Sequence, residues 1–285
     1  MIPVRFSSEP AALATVRTRK LQKAIDAHAR GDTVAVRALL DGYDASGVKA
    51  QLFVDQNKRC AYCERPCGFA SLPIEHFRPK KLRLREDRSV DDERYWWLTW
   101  TWENLVFACG TCNGSSFKGN HFALEDESCA LTPPGSMLDY EASVGRLGDE
   151  TAKLLDPRRD DPHRHLRWAP VDRSIAPALW SWTLVPLTPR GAYTARIVDV
   201  GGTVDEVTNE WVGVWRDAQP FLAVAQGVGP APTTEWDDLC AHVLRRGVAF
   251  PFARWWMLNE LRAMPAVAAF VAQFASPVPP SAPAV

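Results

Sequence analysis

The chain has 285 residues, 46% hydrophobic and 24% charged, with a formal net charge of −1 at pH 7. These values are ordinary for a globular protein of one large or two modest domains, and they exclude a general binder of polyanions. No apolar stretch approaches the ~18 residues that a membrane helix needs, and the N-terminus lacks a secretory pattern. The sequence therefore predicts a cytoplasmic protein without membrane contact.

The sequence divides into four segments that differ in composition and pattern. The first has helical periodicity, the second carries paired cysteines, the third is mixed, and the last is rich in proline. Their predicted bounds are a helical N-terminal segment at 1–58, a metal-binding module at 59–125, a mixed, mainly helical region at 126–275 and a disordered tail at 276–285. The predicted class is α+β.

Glycines and apolar spacing predict elements within these segments. Residues 8–57 are predicted to form short helices, with a candidate cap at Ser8 and breaks at Gly31-Asp32 and Gly42. In the third segment, loops and a few short strands are expected over residues 120–200. The individual predictions there are a strand at 195–200 and helices at 206–226 and 235–274.

Two cysteine pairs lie in the second segment. Cys60 and Cys63 form one CxxC turn, and Cys109 and Cys112 form another. Both thiolates of such a turn can face one tetrahedral ion, so the two turns together predict a structural zinc site with four sulfur ligands. Buried free cysteines or a redox pair are the alternatives, but a redox motif needs one pair in a thioredoxin-like context.

The other three cysteines are not expected to bind this ion. Cys67 is close enough to Cys63 in sequence to substitute as a ligand, but we interpret it as a bystander. Cys129 and Cys240 have no partner at a suitable spacing and are interpreted as core residues.

A histidine and two oxygen donors accompany the cysteine pairs. Glu75 offers a hard oxygen ligand beside the imidazole of His76, and Asn113 directly follows the second pair. Cleavage of a phosphodiester needs a base to activate water, a divalent cation on the scissile phosphate and positive charge for the substrate. A lone histidine in an apolar strand is usually a packing residue, but these neighbours favour a catalytic one.

The order of these motifs resembles that of the HNH (ββα-metal) endonucleases. The shared pattern is Cys-x-x-Cys, Glu-His-x-x-Pro, Trp-x-Asn-Leu and Cys-x-x-Cys-Asn-x-x-x-x-Lys, over residues 60–118. The resemblance implies a zinc-stapled ββα module that holds one catalytic Mg²⁺ or Mn²⁺. It implies that His76 is the general base and that Glu75 and Asn113 ligate the cation. It also implies that Asn104 braces the two-stranded ribbon and orients His76.

The sequence departs from the family pattern at two positions. The acidic ligand is more often Asp than Glu, so the longer arm of Glu75 changes where the cation sits. The third residue of the family name, usually His, is Asn113 here, and His121 is a reserve ligand. His163 and His165 lie in a predicted loop between prolines and are not assigned to the site.

A narrower resemblance is to the HNH nuclease partners of Septu and retron-type anti-phage systems. It rests on Cys60-Ala-Tyr-Cys63-Glu64, on Ile74-Glu75-His76-Phe77-Arg78-Pro79-Lys80, and on Leu155-Asp156-Pro157 with Asp161-Pro162 and His165. The resemblance extends to about Trp168 and implies an ATPase partner that restrains or delivers the nuclease.

A basic run follows the Glu75-His76 pair. Residues 78–88 hold six Lys or Arg against two acidic residues, a local balance of +4. This run predicts a loop that contacts the nucleic-acid backbone rather than the bases. The predicted contacts are Arg78, Lys80, Lys81, Arg83 and, beyond the second cysteine pair, Lys118.

Four tryptophans lie within Tyr95–Trp102. They are predicted to form the second strand of the ribbon and to pack against the helices beside the module, although they could instead stack on bases. The leading functional hypothesis is a metal-dependent endonuclease acting on DNA. Cleavage of RNA, for instance a tRNA, by the same site is one alternative, and a zinc-stabilised adaptor without catalysis is another.

Overall fold

The structure is a computed structural model that describes residues 4, 6–71, 73–92, 94–228, 235–245, 248–272, 274 and 276–279. Helices and short strands share the chain, as the α+β class predicts. The helices are α1 (Ala11–Ala29), α2 (Thr33–Leu39), α3 (Val48–Asp55), α4 (Gly110–Asn113), α5 (Met137–Gly145), α6 (Pro189–Ile197), α7 (Val204–Ala225), α8 (Glu235–Val243), α9 (Pro251–Ala263) and α10 (Pro265–Val271). The strands are β1 (Ile74–His76), β2 (Leu82–Leu84), β3 (Val90–Asp92), β4 (Leu105–Phe107), β5 (Leu166–Pro170) and β6 (Trp182–Pro186).

The described strands form three antiparallel pairs, β1 with β4, β2 with β3 and β5 with β6. The first pair lies beside α3, and the last pair packs against α7 and α9. Buried side chains from the N-terminal helices, the cysteine-containing module and the C-terminal region form one continuous hydrophobic cluster. The predicted segments therefore share a core.

The N-terminal helices break where the glycines predict. Gly31 follows α1 with φ +72°, a backbone conformation that glycine adopts easily, and Asp32 caps α2 by accepting a hydrogen bond from the Ala35 amide at 2.9 Å. The expected cap at Ser8 is wrong. Helix α1 begins after Pro10, which makes no side-chain cap hydrogen bond.

The tryptophan run is not a strand. Tyr95–Trp102 forms tight helical turns, and the second strand of the ribbon is Leu105–Phe107. Trp96 packs against His28 with ring centroids 5.2 Å apart, and the Trp100 indole donates to the Asp41 carbonyl at 2.8 Å. A strand would place alternate side chains on opposite faces, whereas turns let these large rings enter the core together. Because they are buried, they are not available to stack on bases.

The C-terminal predictions are only partly confirmed. The predicted helix at 206–226 is present as α7, but the predicted strand at 195–200 is wrong because α6 runs to Ile197. Thr188 caps α6 by accepting from the Gly191 amide at 3.1 Å, and a proline follows at its first position. The single helix expected over 235–274 is three helices, because Pro251 and Pro265 each begin a new one.

The start of the predicted disordered tail is packed against the protein. Pro277 is buried, and its carbonyl accepts a hydrogen bond from the Trp255 indole at 2.9 Å. The rest of that prediction, from residue 280 onward, lies outside the described residues. Nowhere in the described ranges does a helix combine the length and apolarity required to cross a membrane.

His163 lies in an aromatic box of the C-terminal region. Its ring centroid is 4.3 Å from that of Trp255 and 4.8 Å from that of Phe252. Burial lowers the pKa of His163 to about 4. The imidazole is therefore neutral in the folded protein at neutral pH, in keeping with a packing role outside the site.

We expect the folded chain to lose stability as the pH falls from about 6.5 towards about 4, because the unfolded His163 gains a proton that the folded one resists. His163→Phe should remove part of this loss, about 1–2 kcal/mol after allowance for partial exposure. Urea unfolding of both proteins at several pH values measures it, with the exposed His242→Gln as control. Identical pH profiles for wild type and His163→Phe would contradict the assignment.

Candidate metal centre and catalytic site

Four buried cysteines meet at one point. Cys60 and Cys63 lie in the turn after α3, and Cys109 and Cys112 lie at the start of α4. Their sulfur atoms all lie within 4.8 Å of one another, and Cys63 Sγ is 3.7 Å from Cys109 Sγ. A tetrahedral ion with ~2.3 Å zinc–sulfur bonds places its sulfurs about 3.8 Å apart. The group has the size and chemistry to hold zinc, as the CxxC spacing predicts.

The remaining cysteines lie outside this group. The Cys67 thiol donates instead to the Arg65 carbonyl at 3.0 Å, in agreement with its interpretation as a bystander. Cys240 is partly buried, whereas Cys129 is exposed in the turn after Asp126, so its assignment to the core is wrong.

Backbone contacts attach the cysteine group to the β1–β4 ribbon. The Ala61 amide donates to the Phe107 carbonyl at 3.0 Å. The side chain of Gln56 accepts from the Phe107 amide through Oε1 and donates to the Phe107 carbonyl through Nε2. In the ribbon, Glu75 pairs with Val106 and His76 pairs with Leu105. The cysteine turn therefore holds β4, the strand that pairs with Glu75 and His76.

The imidazole of His76 is buried and held in one tautomer. Its Nε2 lies 3.1 Å from the Thr99 carbonyl oxygen. Because a carbonyl only accepts, Nε2 carries the hydrogen and Nδ1 is left with a free lone pair. Burial, helped by the charges of Lys80 and Lys118, lowers the pKa of His76 to about 3. His76 is therefore a neutral base with Nδ1 as its basic atom.

Glu75 and Lys118 form a buried ion pair beside this imidazole. The Lys118 ammonium donates to Glu75 Oε1 and also to the His76 carbonyl at 2.9 Å. Burial raises the pKa of Glu75, and the Lys118 charge opposes that shift. The Lys118 side chain is fully buried, so the structure does not place it on a surface for nucleic acid.

The Asn104 side chain connects two backbone segments beside the ribbon. Its Oδ1 accepts from the Arg78 amide at 2.8 Å, and its Nδ2 donates to the carbonyls of Arg78 at 3.0 Å and Leu98 at 3.3 Å. The two Arg78 contacts hold the chain just after His76, and the Leu98 contact holds the residue before Thr99. Asn104 thus lies between the two segments that orient the imidazole.

We expect Asn104→Ala to lower the free energy of unfolding by about 2–4 kcal/mol, because it leaves buried backbone groups without partners. Urea unfolding measures the effect. Asn120→Ala, at an exposed position two residues after Lys118, is the matched control and should change stability little. A loss below about 0.5 kcal/mol for Asn104→Ala would contradict the bracing role.

Asn113 is not joined to this cluster by hydrogen bonds. It is the last residue of α4, and its amide donates to the Cys109 carbonyl at 3.0 Å. Within the described ranges, no hydrogen bond connects its side chain to Glu75 or His76. The reserve ligand, His121, lines a cavity with Arg88 and Arg196 instead.

The basic run is largely not the exposed loop that its composition predicts. Arg78 is buried and donates to Glu150 at 2.6 Å, and Arg83 is buried and donates to the Phe122 carbonyl at 2.7 Å. The structure therefore removes both from the surface patch. Lys81 is exposed as expected, while Lys80 is partly buried with its Nζ 3.4 Å above the centre of the Tyr43 ring.

Two contacts of the site were not found from the sequence. The Tyr43 ring packs edge-on against His76 with centroids 4.6 Å apart, and the Thr99 carbonyl fixes the tautomer. Tyr43 lies far from the motifs in sequence and carries no local signal. Thr99 acts through its backbone, which residue identity does not reveal.

Comparison with known proteins finds similarity to two Septu proteins of the same bacterial strain. The chain is 33% identical to Septu protein PtuB of Bacillus mycoides (strain KBAB4) over 175 residues, which are 59% of this chain and 55% of PtuB. It is 28% identical to Septu protein PtuA of the same strain over 110 residues, which are 38% of this chain and 14% of PtuA. No protein-family model and no solved structure matches the chain. The chain spans about half the length of PtuB, and over that part it is similar to a Septu protein.

Proposed function

We propose that the chain is a metal-dependent HNH-type endonuclease that hydrolyses phosphodiester bonds in DNA. The observation that carries the proposal is the tautomer of His76. Nε2 is engaged by the Thr99 carbonyl, so Nδ1 has a lone pair for a proton from water. The lowered pKa of His76 keeps the imidazole neutral before the reaction, and the negative charge of a bound phosphate would raise that pKa and make Nδ1 a stronger base.

In the proposed reaction, Nδ1 of His76 takes a proton from a water molecule, and the resulting hydroxide attacks phosphorus. The P–O bond to one sugar oxygen breaks, and that leaving oxygen takes up a proton from solvent. Asn104 keeps the segments on both sides of the imidazole in place during this step. Glu75 and Asn113 would hold Mg²⁺ or Mn²⁺, which when bound stabilises the negative charge that develops on the phosphate oxygens. The oxygen donors suit these hard cations.

The Lys118 ammonium affects how a cation can bind at this site. It binds Glu75 Oε1, so a divalent cation must use the other carboxylate oxygen or displace the ammonium. Two positive charges at one carboxylate repel each other, so binding of the cation should push Lys118 away from Glu75. The same pair also supports a second candidate function, a zinc-stabilised adaptor without catalysis, because Lys118 already neutralises Glu75.

The similarity to PtuB supports a role as the nuclease effector of an anti-phage defence system. In this proposal the chain acts with an ATPase partner, which restrains or delivers it. The site recognises phosphate chemistry, so an RNA substrate would use the same residues. DNA is the proposed substrate.

The test is a cleavage assay with labelled DNA and labelled RNA, with the ATPase partner present and absent, in Mg²⁺ or Mn²⁺. We expect cleavage of DNA that depends on the added cation and is lost in Glu75→Ala. Cleavage of RNA alone would change the substrate and retain the site. No cleavage of either polymer under any of these conditions would favour the adaptor.

A further inference from the structure

A group of basic side chains surrounds a cavity of about 220 Å³ beside the candidate catalytic site. Its lining includes Arg88, Ser116, His121 and Arg196. The segment from Ser116 to His121 contributes side chains to both the cavity and the candidate catalytic site. Ser116 and His121 face the cavity, whereas the Lys118 side chain between them reaches Glu75 and His76.

Arg88 is presented by the tight turn between β2 and β3. It has a left-handed backbone with φ +64°, which is unusual for a residue with a side chain. Hydrogen bonds on both sides hold the turn, from the Arg88 amide to the Arg85 carbonyl at 3.1 Å and from the Arg85 amide to the Ser89 carbonyl at 3.0 Å. The Arg88 side chain is exposed, and in the described part of the chain no carboxylate lies within ion-pair distance of it.

The cavity has an excess of positive charge. Glu86 is its one acidic lining residue among those described, and it is bonded to Arg196 at 3.1 Å and also to Lys153. Among the lining residues, Arg88 and Arg196 against Glu86 leave a net charge of about +1, and Lys153 further neutralises Glu86 from outside the lining. The pKa of His121 is lowered by burial and then by the charges of Arg88, Lys118 and Arg196.

One buried polar group of the cavity also lacks a well-formed partner. Tyr193 is only 4% exposed, and its hydroxyl lies near the Ala123 backbone without a hydrogen bond of good geometry among the described residues. Buried polar groups usually have partners, so this hydroxyl has capacity for a further hydrogen bond.

We propose that the cavity bounded by Arg88, His121 and Arg196 is a subsite for a backbone phosphate of the nucleic-acid substrate. This inference rests on the proposed function and names where the polymer is held next to the scissile bond. Guanidinium groups bind phosphate in a bidentate manner, and Ser116 adds a hydroxyl donor. The volume suits one phosphate group with its ester oxygens and is below that of a pocket for a drug-sized ligand.

The test compares DNA binding by the zinc-loaded full chain and by R88A/R196A, without added Mg²⁺ or Mn²⁺ so that no cleavage occurs. We expect the double variant to bind labelled DNA about 10-fold more weakly, regardless of base sequence. The dependence of log K on log salt concentration should become shallower by about 0.9 if one phosphate contact is lost. The matched control is R164A/R216A, which removes two arginines with side chains 81% and 80% exposed elsewhere.

Equal affinity and equal salt dependence for R88A/R196A and its control would overturn the subsite, and so would a wild-type chain that binds no DNA. A free nucleotide is the other source of the same phosphate chemistry. If the double variant loses affinity for ATP or inorganic phosphate but keeps its affinity for DNA, the proposal is also overturned. Cleavage that does not require His76 would defeat the proposed function, whereas His76-dependent cleavage that is unaffected in R88A/R196A defeats the subsite alone.

Discussion

His76→Ala is expected to reduce phosphodiester cleavage by about 100- to 10,000-fold, because it removes the base that takes the proton from water. The zinc content should not change, because His76 is not among the four cysteines of the candidate zinc site. Initial rates on labelled DNA, with Mg²⁺ and the proposed ATPase partner present, measure the effect. Zinc analysis of the same preparation shows whether the metal site is intact.

A histidine elsewhere provides the matched control for this variant. His28 also packs against an aromatic ring, that of Trp96, but it lies on α1 outside the site. His28 is partly buried, so His28→Ala also removes an aromatic contact, although a less buried one, and should leave the rate within about 2-fold of wild type. If His76→Ala cleaves DNA at the wild-type rate, His76 is not the base and the proposed mechanism fails.

Cys109→Ser is expected to lower the zinc content from about one ion per chain towards zero and to unfold the module around the ribbon. Structural zinc contributes about 10 kcal/mol or more to the folding of small metal-dependent modules, which exceeds or equals the whole stability of many domains. Here the cysteine turn is bonded through Ala61 to the Phe107 backbone, so its loss should also release β4. Elemental analysis, thermal unfolding and limited proteolysis within residues 60–118 measure these effects.

Cys129→Ser is the control for the cysteine substitution. Cys129 is exposed and does not belong to the four-sulfur group, so zinc content and thermal unfolding should match wild type. A strong chelator applied to the wild-type chain should reproduce the Cys109→Ser phenotype. A Cys109→Ser protein with full zinc occupancy and an unchanged unfolding temperature would show that the cysteines are not a structural zinc site.

The sequence determined the features that depend on short-range spacing. A CxxC turn brings two sulfurs together by local geometry, so each pair, Cys60 with Cys63 and Cys109 with Cys112, follows from the sequence. The meeting of the two pairs depends on the fold between them. The breaks between the N-terminal helices follow from local backbone preferences at Gly31 and Gly42. The short capping signals at Ser136 and Thr188 are of the same kind, and attention to them would have predicted α5 and α6.

Only the tertiary structure decided which charged residues face solvent. The sequence predicts a basic surface that includes Arg78, Arg83 and Lys118, because charge counts contain no information about distant partners. In the fold, Glu150 comes to Arg78 from 72 positions away and Glu75 comes to Lys118 from 43 positions away. Burying an arginine or lysine costs free energy unless a partner compensates it, so the location of the carboxylates determined which cations were buried and which, like Arg88, remained exposed.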